Sequence, residues 1–183
     1  ALLEKVKAGV SSWKLGDPRD EDAVVGPMVE GPHFEKVKSF IATTEKEGGK
    51  LVQGGKIHSD LGSGWYIEPT IFDNVTADMT LFQQEVFGPI LAVTTFTSEE
   101  EAVALANDSS YGLAASLYTE NLRCAQRVSR AIRAGTVSIN GFSEGDITTP
   151  FGGFKQSGFG GRDKGLEALQ QYVQTKTIWY VQD

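Results

Sequence analysis

The sequence predicts an α/β fold, a mainly parallel sheet flanked by helices. Three observations lead there. From Pro89 to Asn140, short apolar runs alternate with amphipathic helical stretches, the order that closes parallel strand pairs through helical crossovers. Glycine, proline and aspartate cluster between these runs, where turns belong. The 183 residues, 40% of them hydrophobic, suffice for one domain with a real core.

Taken in order, "ALLEKVKAGVSSW" sets Leu2, Leu3, Val6, Val10 and Trp13 on roughly one helical face. No Ser, Thr, Asp or Asn cap precedes it, and the expectation is a chain cut from something longer. Lys14 to Pro32 has the density of Gly, Pro and Asp that marks a surface loop. "HFEKVKSFIATTEKEGG" reads as a helix with Phe34, Val37, Phe40 and Ile41 on one face and Gly48-Gly49 as its stop. "KLVQGG" and "WYIEPTIFDNV" read as extended segments, and "PILAVTTF" as a strand. "SEEEAVALAND" is a helix capped by Ser98, with Glu101 at capping-box spacing. "LAASLYT", "ENLRCAQRVSRAI" and "AGTVSIN" continue as strand, helix and strand. "LEALQQY" suggests a short helix, and "VQTKTIWYV" alternates like an edge strand. A boundary is expected near Gly161, giving segments 1–160 and 161–183.

Composition removes several function classes. The net charge of −7 and the lack of Lys/Arg clusters argue against nucleic acid and anionic membranes as partners. No apolar run has the length to span a bilayer. One cysteine, Cys124, permits no intrachain disulfide, and a cytoplasmic setting is the expectation. Cys124 sits on an amphipathic helix between Leu122 and Val128, where a lone cysteine reads as a small packed residue rather than a nucleophile. His33 and His58 lie far apart without paired ligands, so no metal set is assigned, and no catalytic residue is assigned either.

The stretch "PFGGFKQSGFGGRDKG", Pro150 to Gly165, invites a phosphate-cradle reading that its spacing denies. From Gly153 the P-loop pattern reaches Gly158, but Phe159 stands where the lysine belongs. The G-x-G at Gly158 meets Asp163 where the last glycine should be, and no long helix follows. The glycines then read as places where backbone passes close to something bulky, with Phe151, Phe154 and Phe159 for packing or a pocket wall.

Four segments in order, "QEVFGPIL", "ANDSSYGLAASLYTENL", "AGTVSIN" and "TPFGGFKQSGFGGRD", resemble the C-terminal part of the catalytic domain of NAD(P)-dependent aldehyde dehydrogenases. The resemblance covers essentially the whole chain. It implies oxidation of an aldehyde to an acid through a cysteine thiohemiacetal, with NAD or NADP taking the hydride. It also implies that the nucleophile, the general base and the dinucleotide-binding domain precede Ala1, and that these residues alone are inactive. The "EGDITTPFGGFKQSGFGGRDK" stretch is most similar to enzymes oxidising γ-glutamyl-aminobutyraldehyde and related aminoaldehydes of polyamine breakdown.

Site residues follow from that resemblance. Glu85 is implied to accept from the nicotinamide ribose hydroxyls and Phe87 to limit the ring's swing; the alternative is a turn before Pro89 with Phe87 in the core. His33 and Lys36 fall where relatives contact the adenosine ribose, or serve only a helix end and a solvated face. Phe151 is implied to wall the aldehyde tunnel. Ser143, Glu144, Gly145 and Asp146 fall in its most variable part, where two carboxylates favour a cationic substrate tail unless both face solvent. The tail "QQYVQTKTIWYVQD", Gln170 to Asp183, resembles the strand that extends a neighbour's sheet in dimers and tetramers, although Gln174 stands where relatives often carry an acid. A non-catalytic assembly module and an unrelated α/β binding domain are the competing readings.

Overall fold

In the computed structural model, which describes residues 1–142 and 145–182, the chain divides into two units, Ala1–Phe96 and Thr97–Asp183. The first unit opens with α1 (Leu2–Ser11), which has no side-chain cap and no fully buried residue. The loop after it is braced by its own charges: Lys14 pairs with Asp20 at 2.7 Å and Arg19 with Asp17 at 2.6 Å.

The core of this unit is set by α2 (Gly31–Glu47). Pro32 sits in its first turn, where a missing N–H costs nothing, and Gly48 ends it at a left-handed φ of 101°. Phe34, Val37, Phe40, Ile41 and Thr44 recur at three- and four-residue spacing and are all buried. They pack on a three-stranded sheet of β1 (Lys50–Gln53), β4 (Thr70–Asp73) and β5 (Ile90–Ala92), in the order β1-β4-β5. The β4–β5 pair is parallel and the β1–β4 pair antiparallel, so the sheet is mixed. Central β4 carries Ile71 and Phe72, both essentially inaccessible, and burying Phe72 stabilises the fold by about 2–3 kcal/mol. The hairpin of β2 (Ile57–His58) and β3 (Tyr66–Ile67) and the single turn α3 (Thr80–Gln83) complete the unit.

The second unit alternates as its sequence suggests. In α4 (Glu99–Asn107), Ser98 Oγ accepts from the Glu101 N–H at 3.1 Å. The Glu101 carboxylate reaches back to the Thr97 N–H and hydroxyl, one residue before the expected box partner. Asn121 caps α5 (Leu122–Ala131) by accepting from the Cys124 N–H. Strands β6 (Ala114–Leu117) and β7 (Thr136–Ile139) run parallel in register, with α5 as crossover. Arg127 clasps Glu99 through two hydrogen bonds of 2.7 and 2.8 Å, tying α5 to α4. Cys124 is half-buried on α5.

Two short 3₁₀ turns, Lys155–Ser157 and Leu166–Tyr172, replace regular structure after β7. Residues 173–182 pair with no strand among the described residues, and Trp179 is 84% exposed. Their alternation is strand-like, but a ladder needs a second edge, and none lies beside them among the described residues. Among the described residues no helix is long and apolar enough to cross a membrane.

Candidate functional site

The first candidate site is the loop after α3. Val86 is buried in the α2 core, and a Cβ on Gly88 would lie 2.8 Å from a methyl of Val37, so the loop sits flat on α2. That anchoring turns the neighbours outward. Glu85 is exposed, and its carboxylate has no hydrogen-bond partner among the described residues. Phe87 is 78% exposed and holds a left-handed φ of 58°, an outlier for a bulky residue.

Both α2 residues singled out from sequence reach this loop. A carbonyl can only accept, so His33 Nε2–H donates to Phe87 O at 2.7 Å, and the two rings meet edge to face at 6.4 Å. Lys36 Nζ donates to Glu85 O at 3.2 Å. Four residues drawn from two segments about fifty positions apart thus form one cluster. The His33 and Lys36 heads are spent on loop carbonyls, so in this structure they position the loop that presents Glu85 and Phe87.

The second candidate site lies in the other unit. A cavity of about 320 Å³ is lined by Leu113, Ala114, Ala115, Ser116, Ser138, Phe142 and Phe151. Its walls come from two parallel strands and the segment after β7, where α/β proteins commonly bind ligands. Phe151 is half-buried, its carbonyl accepts from the Asp163 N–H at 2.7 Å, and Lys164 Nζ lies 5.2 Å from its ring centre. Asn140, at the end of β7, exchanges two 2.8 Å hydrogen bonds with the Thr119 backbone and fixes where that segment departs.

Between Phe142 and Phe151, Ser143 and Glu144 lie outside the described residues. Gly145 has a φ of 79°, which favours glycine, and a Cβ there would crowd the Thr149 side chain. Asp146 accepts from the Thr148 N–H and hydroxyl at 2.8 and 2.6 Å, and those bonds hold its carboxyl below the usual range. It closes its own turn and stays anionic at neutral pH.

Sequence reasoning passed over two groups. His58 lies between Glu68 and Asp60, at 2.8 Å from Nε2 and 3.2 Å from Nδ1, and the Glu68 bond foremost raises its pKa. Lys155 adopts a left-handed φ of 53° and turns its amine onto backbone carbonyls. Neither has a local signature: the first needs a hairpin of two-residue strands, the second a contact nearly fifty residues away. Among the described residues no group of three or more His, Cys, Asp and Glu side chains could hold a metal.

The aldehyde dehydrogenase family model matches residues 1–178. The chain belongs to the aldehyde dehydrogenase family. Within the family it is 49% identical over 179 residues to the aminoacetaldehyde dehydrogenase of Pseudomonas aeruginosa, covering 98% of this chain and 35% of that one. It is 44% identical over 178 residues to the NADP/NAD-dependent aldehyde dehydrogenase PuuC of Escherichia coli, covering 97% and 35%. Among solved aldehyde dehydrogenases, the indole-3-acetaldehyde dehydrogenase AldA of Pseudomonas syringae, crystallised with NAD+ and IAA, superposes with a TM-score of 0.92. It is 46% identical to this chain, with 97% and 36% of the two chains covered. The chain therefore spans about a third of the length of the aldehyde dehydrogenases it matches.

Proposed function

We propose that this chain supplies two surfaces of an NAD(P)-dependent aldehyde dehydrogenase: the contact that orients the nicotinamide ribose and one wall of the aldehyde pocket. The observation that carries this is the convergence of His33 and Lys36 on the loop bearing Glu85 and Phe87. The residues fit the group. The exposed, unpartnered Glu85 carboxylate can accept from two adjacent ribose hydroxyls, and the outward Phe87 ring offers an apolar edge to a flat heteroaromatic. Bound there, the dinucleotide supplies the hydride acceptor. The chain's own part is to hold the ribose in register, with the loop already fixed by His33, Lys36 and Val86 before binding.

The substrate we propose is an aldehyde with a cationic amine at its far end, of the kind produced in amine and polyamine breakdown, oxidised to the acid through a cysteine thiohemiacetal. The P. aeruginosa relative, named for aminoacetaldehyde, supports this class. So does the anionic Asp146 in the segment joining two cavity-lining phenylalanines. A cytoplasmic location and assembly through residues 173–182, whose Val173, Trp179 and Tyr180 side chains lie open, belong to the same proposal.

The test is steady-state kcat/KM of the full-length protein with NAD+ and NADP+ on an ω-aminoaldehyde and a neutral aldehyde of equal length. Preference for the aminoaldehyde is expected. Preference for the neutral aldehyde removes the substrate proposal, and absence of aldehyde-dependent dinucleotide reduction removes the enzyme.

A further inference from the structure

The stretch from Pro150 to Gly165 lacks P-loop spacing, yet it holds a lysine in a costly conformation. Lys155 has a φ of 53°, where glycine is favoured and a long side chain is strained. Its Nζ donates to Asn107 O at 2.7 Å and Ser109 O at 2.8 Å. Asn107 is the last residue of α4, so the ammonium caps the negative end of that helix and satisfies a carbonyl its last turn leaves open. Around it the loop is docked on the same strip of chain. Phe154 N–H donates to Gly112 O, Gln156 N–H to Ser110 O, and Gly112 N–H to Ser157 Oγ.

The glycines leave no slack. A Cβ on Gly153 would lie 2.3 Å from Ser157 O, and one on Gly152 would lie 2.6 Å from Gly161 O. Phe151, four residues before Lys155 and joined to it by this tight backbone, lines the cavity wall.

We propose that Lys155 is a positioning residue for substrate binding. By anchoring the glycine loop to the α4 terminus, it fixes the Phe151 ring and thereby sets the fit of the aldehyde. The inference rests on the reading of Phe151 as a pocket wall. Its side chain touches carbonyls rather than substrate, so its loss acts on binding. A displaced wall weakens ground-state and transition-state contacts alike, which raises KM and leaves kcat in place.

The experiment compares K155M, K155G, K155R and F151A in the full-length protein, with KM and kcat for the aldehyde measured separately. K155M is expected to raise KM about tenfold with kcat within about twofold of wild type, since small misplacements of a binding group are costly. K155G relieves the backbone strain but lacks the amine, and the same KM rise is expected. K155R, which donates to both carbonyls, brings KM back toward wild type. A normal KM in K155G overturns the proposal, because the backbone alone then suffices. A lowered kcat with unchanged KM in K155M overturns it too, since that is loss of active enzyme. If K155M does not fold, K155G and K155R decide alone. An unchanged KM in F151A strikes the pocket-wall reading itself, independently of Lys155.

Discussion

The two candidate loops are held by opposite means. The loop bearing Glu85 and Phe87 is seated by side chains: Val86 enters a core with Val37, Phe40 and Phe72, and two basic residues tie its carbonyls to α2. The glycine loop owes little to apolar burial, since Phe154 and Phe159 are exposed. Backbone hydrogen bonds, glycines packed against backbone and one ammonium hold it. The first arrangement gives a rigid floor from which two side chains project, suited to a ligand group of invariant shape. The second holds Phe151 at the cavity wall through backbone contacts.

That contrast is broken most severely at Gly135. A Cβ there would come within 1.6 Å of Gly152 O, a clash with backbone rather than with a movable side chain. Gly135→Ala is expected to cost about 3 kcal/mol, read from urea unfolding, and to dislodge the glycine loop while Glu85 and Phe87 stay in place. The converse is Val37→Ala. Val37 is fully buried against Gly88, and its truncation is expected to cost about 2 kcal/mol. It should weaken dinucleotide binding and spare the aldehyde KM. If either variant disturbs both ligands equally, the two loops are not independently supported.

A smaller effect concerns the β2–β3 hairpin. A neutral imidazole has one N–H, yet both His58 nitrogens face carboxylates, so only the imidazolium satisfies both. The folded pKa is raised above 6.5, so this contribution to stability is complete below that pH and fades as pH rises through the raised value. Histidine NMR should show a His58 midpoint above 6.5 that falls in E68Q, with faster amide exchange in Tyr66–Ile67 on the alkaline side. A midpoint unmoved by E68Q would remove the carboxylate as its cause.

Much of this was legible in the residues. Helical periodicity marked α2, α4 and α5, with Ser98 and Gly48 at their ends, because local spacing and capping chemistry decide those elements. Strand β2, its pairing with β3, and α3 were not, since a two-residue strand and a single helical turn leave no period to read. The strand pattern of residues 173–182 reports a propensity that finds no pairing partner among the described residues. Resemblance pointed to Glu85, Phe87, His33 and Lys36, but only the fold shows the two basic residues holding the loop's carbonyls. Lys155 is not legible because the glycines around it suggest phosphate binding, whereas its amine serves a helix end.

The most direct test is the KM for the dinucleotide in the full-length protein carrying Glu85→Gln, a change that keeps shape and removes charge. If Glu85 holds the ribose, that KM rises about tenfold or more, the usual worth of a charged hydrogen bond, and the protein unfolds as wild type does. An unchanged dinucleotide KM in a folded, active variant would contradict the role given to Glu85 and to the loop built to present it.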